Sequence, residues 1–291
     1  MKVFYSDHHV VALPPKHRFP MGKYARVREA VARLPLEMVA AASATRDDVV
    51  RVHDAAYVDA FVAGTLDAKM MREIGLPWSE SLVARTLGSA GGTLAAMRDA
   101  LVTGIAGNLA GGTHHAHRAR GSGFCVFNDL AIAAAAALDT VAKVLVFDAD
   151  VHQGDGTAAI FADEPRVFTC SIHGKHNFPF RKMTSDLDLE LPDGAGDDAY
   201  LAAIREGWAA GMRTAPALVL YQAGVDALAE DTLGRLAVTR DGLAARDRFV
   251  LGAARAAGVP IVLTLGGGYA DPLEASIAAH AQTYAVAIEV Y

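Results

Sequence analysis

The chain has 291 residues, 52% of them hydrophobic, and a formal net charge of -6. That apolar content suits a large core, in one big α/β unit or two small ones, and no stretch concentrates Lys and Arg, which argues against direct nucleic-acid binding. The longest apolar run, Leu130–Leu138, falls far short of the roughly 20 residues a membrane span needs, and Asp7, His8 and His9 interrupt any signal-type apolar stretch, so a cytoplasmic protein is expected.

Lys2–Tyr5 reads as a first strand. His8, His9 and His17 follow among Pro14, Pro15 and Pro20, in a loop where lone histidines are expected to be solvated. Helical spacing runs from Met21 to Arg33 and stops before Pro35. Thr45-Arg46-Asp47-Asp48 resembles a capping box, and Asp54–Phe61 continues as another helix, with His53 between them as a cap or surface residue. Ser79 caps a helix to about Gly88, and a further helix spans Gly91–Val102. Ile105–Ala110 reads as a strand, and Phe127-Asn128-Asp129 opens an Ala-rich helix. Cys125 and Cys170 read as buried free thiols.

Lys143–Phe147, Arg166–Ile172, Ala217–Gln222 and Pro260–Leu265 are apolar runs of strand length. Between them, Asp197 or Asp198 caps a helix to about Met212, and Thr239 caps one to about Ala257. A last helix runs from about Pro272 to the end. Gly174–Asp197 is a long loop of the kind that usually serves function. Its alternation at Asp186–Leu191 predicts an edge strand. Strands alternating with helices predict a mainly parallel sheet covered on both faces, an α/β/α sandwich.

The unusual polar residues all fall just past strand ends. Val144–Phe147 gives way to Asp148, Asp150, His152 and Asp155, with glycines between. Asp150 and His152 are two apart, so an extended backbone points them the same way, as a metal-ligand pair. His114-His115, Asp226 and Tyr269 follow other strands. Taken alone Asp226 is a turn residue after Gly224. In a parallel sheet, however, these strand ends share one rim, where open α/β folds bind ligands.

Five blocks together, Gly111-Gly112-Thr113-His114-His115, Gly123–Asp129, Asp148–Gly156, Gln222–Asp226 and Gly267-Gly268-Tyr269, resemble the signatures of the zinc-dependent histone deacetylase family. The likeness spans nearly the whole chain. The short length and Gln153 are similar to the class IV branch and its bacterial relatives. The resemblance implies one catalytic domain over residues 1–291, with the three-layer arginase-deacetylase fold. It implies that Asp150, His152 and Asp226 hold zinc, with ferrous iron the alternative. His115 would be the general base and His114 its neighbour, oriented by Asp155 and Asp148 respectively. Tyr269 would donate to the oxyanion. Gly123, Phe124 and Phe178 would wall a tunnel for an acylated lysine, with Leu233 at its rim. Asp148, Asp150, His152, Ser171 and Ile172 resemble a structural potassium site. His117 lies beyond the motif and is expected at the surface.

The implied activity is removal of an acyl group, acetyl or longer, from the ε-amine of lysine in a protein or peptide. Deacylation of small amines such as acetylpolyamines and a non-catalytic metal-retaining binding module are the other readings. A binuclear arginase-like site is disfavoured because Val225-Asp226-Ala227 lacks a second carboxylate.

Overall fold

A computed structural model describes all 291 residues. The first half holds β1 (Lys2–Tyr5), α1 (Lys23–Val31), β2 (Glu37–Ala40), α2 (Arg46–Val49), α3 (Ala55–Val62), α4 (Ala68–Ile74), α5 (Glu80–Thr103), β3 (Ile105–Asn108) and α6 (Asp129–Ala137). The second half holds β4 (Val144–Asp148), α7 (Asp155–Phe161), β5 (Val167–Gly174), β6 (Leu187–Leu191), α8 (Asp197–Met212), β7 (Leu218–Gln222), α9 (Arg240–Ala257), β8 (Ile261–Thr264) and α10 (Glu274–Val290). The strands form one sheet in the order β2-β1-β3-β8-β7-β4-β5-β6, and every pairing is parallel.

Strand periodicity divides the core. Val144 and Val146 of β4, Leu218 and Leu220 of β7 and Val262 of β8 point to one face, against α5 and α6. Leu145, Phe147, Val219, Tyr221, Ile261 and Leu263 point to the other, against α8 and α9. The apolar runs are continuous because both faces are covered. This is the α/β/α sandwich expected from the alternation.

The register does more than close the sheet. Asn108, Thr264, Gln222, Asp148 and Ser171 lie side by side across β3, β8, β7, β4 and β5. All five are buried. The hydrophobic strands therefore end at one level in a polar row, and the functional loops rise from that row.

Several local expectations are corrected. Ser79 does cap a helix, but α5 is a single helix through Gly88–Gly92, because those glycines admit close neighbours rather than break it. A methyl group at Gly91 would overlap the carbonyl of Ala42. Asp197 caps nothing by side chain; its carboxylate instead accepts the Thr239 amide and hydroxyl, both at 2.7 Å. β2 and α4 carry weak periodicity and were not foreseen. His53 is buried rather than a surface residue: its Nε2 accepts the Asn128 amide at 2.9 Å and its Nδ1 donates to the His117 carbonyl at 3.0 Å. His17 is half-buried, its Nε2 3.0 Å from the Gly75 carbonyl oxygen. Cys125 and Cys170 are free and buried, as expected. No helix is long and apolar enough to cross a membrane.

Candidate metal centre

Asp150 and His152 leave the end of β4, and Asp226 leaves the end of the adjacent β7. The fold brings one donor atom from each within 4.8 Å of the others. His152 Nδ1 lies 3.0 Å from both Asp150 Oδ1 and Asp226 Oδ2. Backbone amides fix both carboxylates: Gly267 donates to Asp150 Oδ2 at 2.7 Å and Val151 to Asp226 Oδ1 at 2.9 Å. A side chain at Gly267 would overlap the Asp226 carboxylate, so the third glycine-loop strand end must pass bare beside the cluster.

The charge balance suits a cation. Asp150 and Asp226 are both buried, and no Lys or Arg pairs with either. Burial, and next the charge of Asp150, push Asp226 up from the usual carboxylate range. Burial pulls His152 down, but its bonds to Asp150 and Asp226 outweigh that and raise it to about 10. A dication among the three removes this conflict. Two carboxylates and one imidazole so placed could hold a metal ion.

His114 and His115 follow β3, their rings 4.1 Å apart. His114 Nδ1 donates to Asp148 Oδ2 and His115 Nδ1 to Asp155 Oδ1, both at 2.6 Å. These bonds leave Nε2 of each ring as the outward atom. Burial, then the neighbouring His114, hold His115 down at about 4. Asp148 raises His114 to about 9 against the effect of burial. Asp155 opens α7 and is held well below the usual range by its histidine partners despite burial.

A cavity of about 620 Å³ connects these groups with Tyr269, Gly123, Phe124, Phe178 and Leu233. Phe178 packs edge-on against His115, centroids 4.8 Å apart, and Phe124 lies 6.3 Å from the Tyr269 ring. Phe124 is one of few non-glycine residues with a left-handed backbone, φ 68°; such strain persists where surrounding structure enforces it. Burial pushes the Tyr269 phenol well up, so it stays a donor. His114, His115, Gly123, Phe124, Asp150, His152, Phe178, Asp226, Leu233 and Tyr269 therefore line one cavity, while Asp148 and Asp155 stand behind the two histidines they bond and Ser171 and Ile172 sit on β5. The Ser171 hydroxyl is already partnered by His173 at 2.9 Å.

Three contributors were missed. His117, expected at the surface, is buried, and its Nε2 bonds the second Asp155 oxygen at 2.9 Å. Asp129 accepts the amides of Gly112 and Thr113 at 3.1 and 2.7 Å, holding the His114 loop. Arg246, fully buried, donates to the carbonyls of Gly224 and Ala223 beneath Asp226. The Thr239-capped helix carries Arg246 among apolar residues, and no sequence signal separates it from a surface arginine.

The sheet, its polar rim and the Asp-His-Asp cluster define a hydrolase-type α/β protein with a candidate metal at the strand ends. A family model described as the histone deacetylase domain matches residues 17–285, and the chain belongs to the histone deacetylase family. It is 43% identical to an uncharacterised protein of Picosynechococcus sp., covering 99% of both chains. It is 32% identical to histone deacetylase clr6 of Schizosaccharomyces pombe, over 80% of this chain and 62% of that protein. With histone deacetylase 2 of Arabidopsis thaliana it shares 35% identity, over 62% of this chain but 48% of the relative. The fold matches acetylpolyamine aminohydrolase of Burkholderia pseudomallei with a TM-score of 0.81 at 21% identity, over 99% and 98% of the chains. It matches a histone deacetylase homologue of Aquifex aeolicus with a TM-score of 0.84 at 22% identity, over 98% and 83%.

Proposed function

We propose that the protein is a zinc-dependent amidohydrolase that removes acyl groups from the ε-amine of lysine. The observation that carries the reading is the Asp150-His152-Asp226 cluster beside the His114-His115 pair on one cavity, with His114 Nε2 3.9 Å from Asp150 Oδ1. Asp150, His152 and Asp226 would hold the metal, with ferrous iron the alternative to zinc. When bound, it supplies Lewis acidity for the amide carbonyl and lowers the pKa of water. His115 is oriented by Asp155 so that Nε2 accepts the proton of the attacking water. The same atom then returns it to the leaving amine. His114, oriented by Asp148, stabilises the developing charge. The Tyr269 hydroxyl donates to the oxygen that becomes negative. Gly123, Phe124, Phe178 and Leu233 guide the aliphatic stem and exclude water. A potassium ion at Asp148, Asp150, His152, Ser171 and Ile172 would be held by carbonyl oxygens chiefly, since the Ser171 hydroxyl has a partner.

Lysine is favoured over polyamines by charge. Apart from the ligands Asp150 and Asp226, no acidic residue lines the cavity, whereas Arg18, Arg85 and Arg235 do. A polycation has nothing to pair with there. The test is hydrolysis by zinc-loaded protein of acetyl-lysine peptides against acetylated polyamines. Preference for the peptides, abolished by a chelator and restored by zinc, is expected. Faster turnover of the polyamines would overturn the assignment.

A further inference from the structure

Buried charges are normally paired. Arg85 has no partner in the chain, and its nitrogens keep solvent contact where it lines the cavity. It is 7% exposed, yet forms no ion pair and no hydrogen bond with the chain. Its guanidinium lies 4.0 Å from the Tyr24 ring centroid and 5.7 Å from that of Phe19. Stacking fixes the plane of the guanidinium and leaves its N–H edge free. Leu82, Arg85, Thr86 and Ser89 recur on one face of α5, and all four line the cavity that also contains the metal centre. Phe19 links the two regions, its ring 5.3 Å from Phe124. On the other side of Tyr24, the buried Lys23 lies 5.2 Å from that ring and 5.3 Å from the Tyr269 ring, also without a carboxylate. Arg85 thus lines the cavity with Arg18 and Arg235, and the only acids that line it are the candidate ligands Asp150 and Asp226.

We propose that Arg85 anchors a carboxylate-binding subsite, and that the preferred acyl group is a short dicarboxylic one whose free carboxylate meets the Arg85 edge. This rests on the amidohydrolase reading above. A planar carboxylate matches the guanidinium in two parallel hydrogen bonds. The reaction balances as simple hydrolysis. The amide C–N bond breaks, the acyl carbon takes the water oxygen, the lysine nitrogen takes a proton, and a dicarboxylate and a free amine leave.

The experiment compares one peptide carrying glutaryl-lysine or pentanoyl-lysine, which differ at the chain end by carboxylate against methyl. Wild type is expected to favour glutaryl at least tenfold in kcat/KM. Arg85→Leu should lower that ratio at least tenfold, and Arg85→Lys, which keeps the charge without the fork, should fall between. A wild-type ratio at or below one overturns the proposal, whether or not the variants fold. Calorimetry with glutarate alone gives a readout independent of turnover, with binding at least tenfold weaker in Arg85→Leu. Glutarate binding that depends on Arg85, with no acyl peptide cleaved, keeps the subsite and sinks the amidohydrolase reading. Normal cleavage of pentanoyl-lysine with no glutarate binding does the reverse. Acetate bound as well as glutarate, without glutaryl preference, overturns the dicarboxylic assignment.

Discussion

Asp231 holds Tyr269 by its backbone. One carboxylate oxygen accepts the Tyr269 amide at 2.6 Å, and the other accepts those of Leu233 and Gly234, both at 2.8 Å. One acid therefore sets Tyr269, the proposed oxyanion donor, and Leu233 in a common frame. Asp231→Ala removes that frame without touching the metal ligands. A displacement near 1 Å at a reacting group can cost about a hundredfold. Steady-state kinetics should show kcat falling toward that figure, with zinc content by atomic emission unchanged. Parallel loss of zinc would mean that Asp231 acts on the ligands instead.

Tyr269→Phe deletes one hydroxyl and keeps the ring against Phe124. An oxyanion donor is typically worth about a hundredfold to a thousandfold in kcat. Zinc content and KM should stay near wild type while turnover falls by that factor. Near-normal turnover would remove the role assigned to Tyr269.

How much of this was legible in the sequence depends on whether a residue's role is local or remote. Asp148, Asp150 and His152 stand out because an apolar strand that ends in charged residues has no packing reason to do so. The parallel sheet follows from alternating strand and helix patterns. Asp226 alone reads as a turn, and only its block of neighbours assigns it. His53 and His117 were misplaced because their partners, the Asn128 amide and the second Asp155 oxygen, lie far away in the chain. The unbroken α5 was missed for a related reason. Gly88, Gly91 and Gly92 look like helix breakers until His9, Ala42 and Asn108 are seen packed against them in turn. Arg85 and Arg246 give no sequence signal at all, since charge on a helix is ordinarily solvated.

His53 makes stability depend on acidity. Burial holds its pKa down at about 4, against an ordinary 6.5. Its Nε2 accepts the Asn128 amide, so protonation would set two N–H groups against each other. As pH falls below 6.5 the unfolded chain takes up the proton first, and the folded chain follows only near 4. Stability is thus complete above 6.5 and lost progressively between 6.5 and 4, on the order of 3 kcal/mol for this group. Urea unfolding at several pH values should give a shallower slope in that window for His53→Gln than for wild type. Equal slopes would show that His53 titrates normally in the fold.

Gly267→Ala tests whether the glycine loop belongs to the metal centre. The Gly267 amide donates to Asp150 Oδ2, and an added methyl would overlap the Asp226 carboxylate. Its backbone is not in the left-handed region, unlike that of Gly266 at φ 66°, so the effect is steric and not conformational. The methyl would point at the ligands and away from both apolar cores, so the fold should persist. Displacing Asp226 should weaken zinc binding by about ten- to a hundredfold, the usual cost of disturbing a ligand's support. Competition against a chromogenic chelator measures that affinity, and circular dichroism checks the fold. Asp226→Ala sets the limit, since it removes a ligand outright. If Asp226→Ala binds zinc like wild type, the ligand set is wrong. If only Gly267→Ala does, the loop yields to the methyl and the close approach has no bearing on the metal.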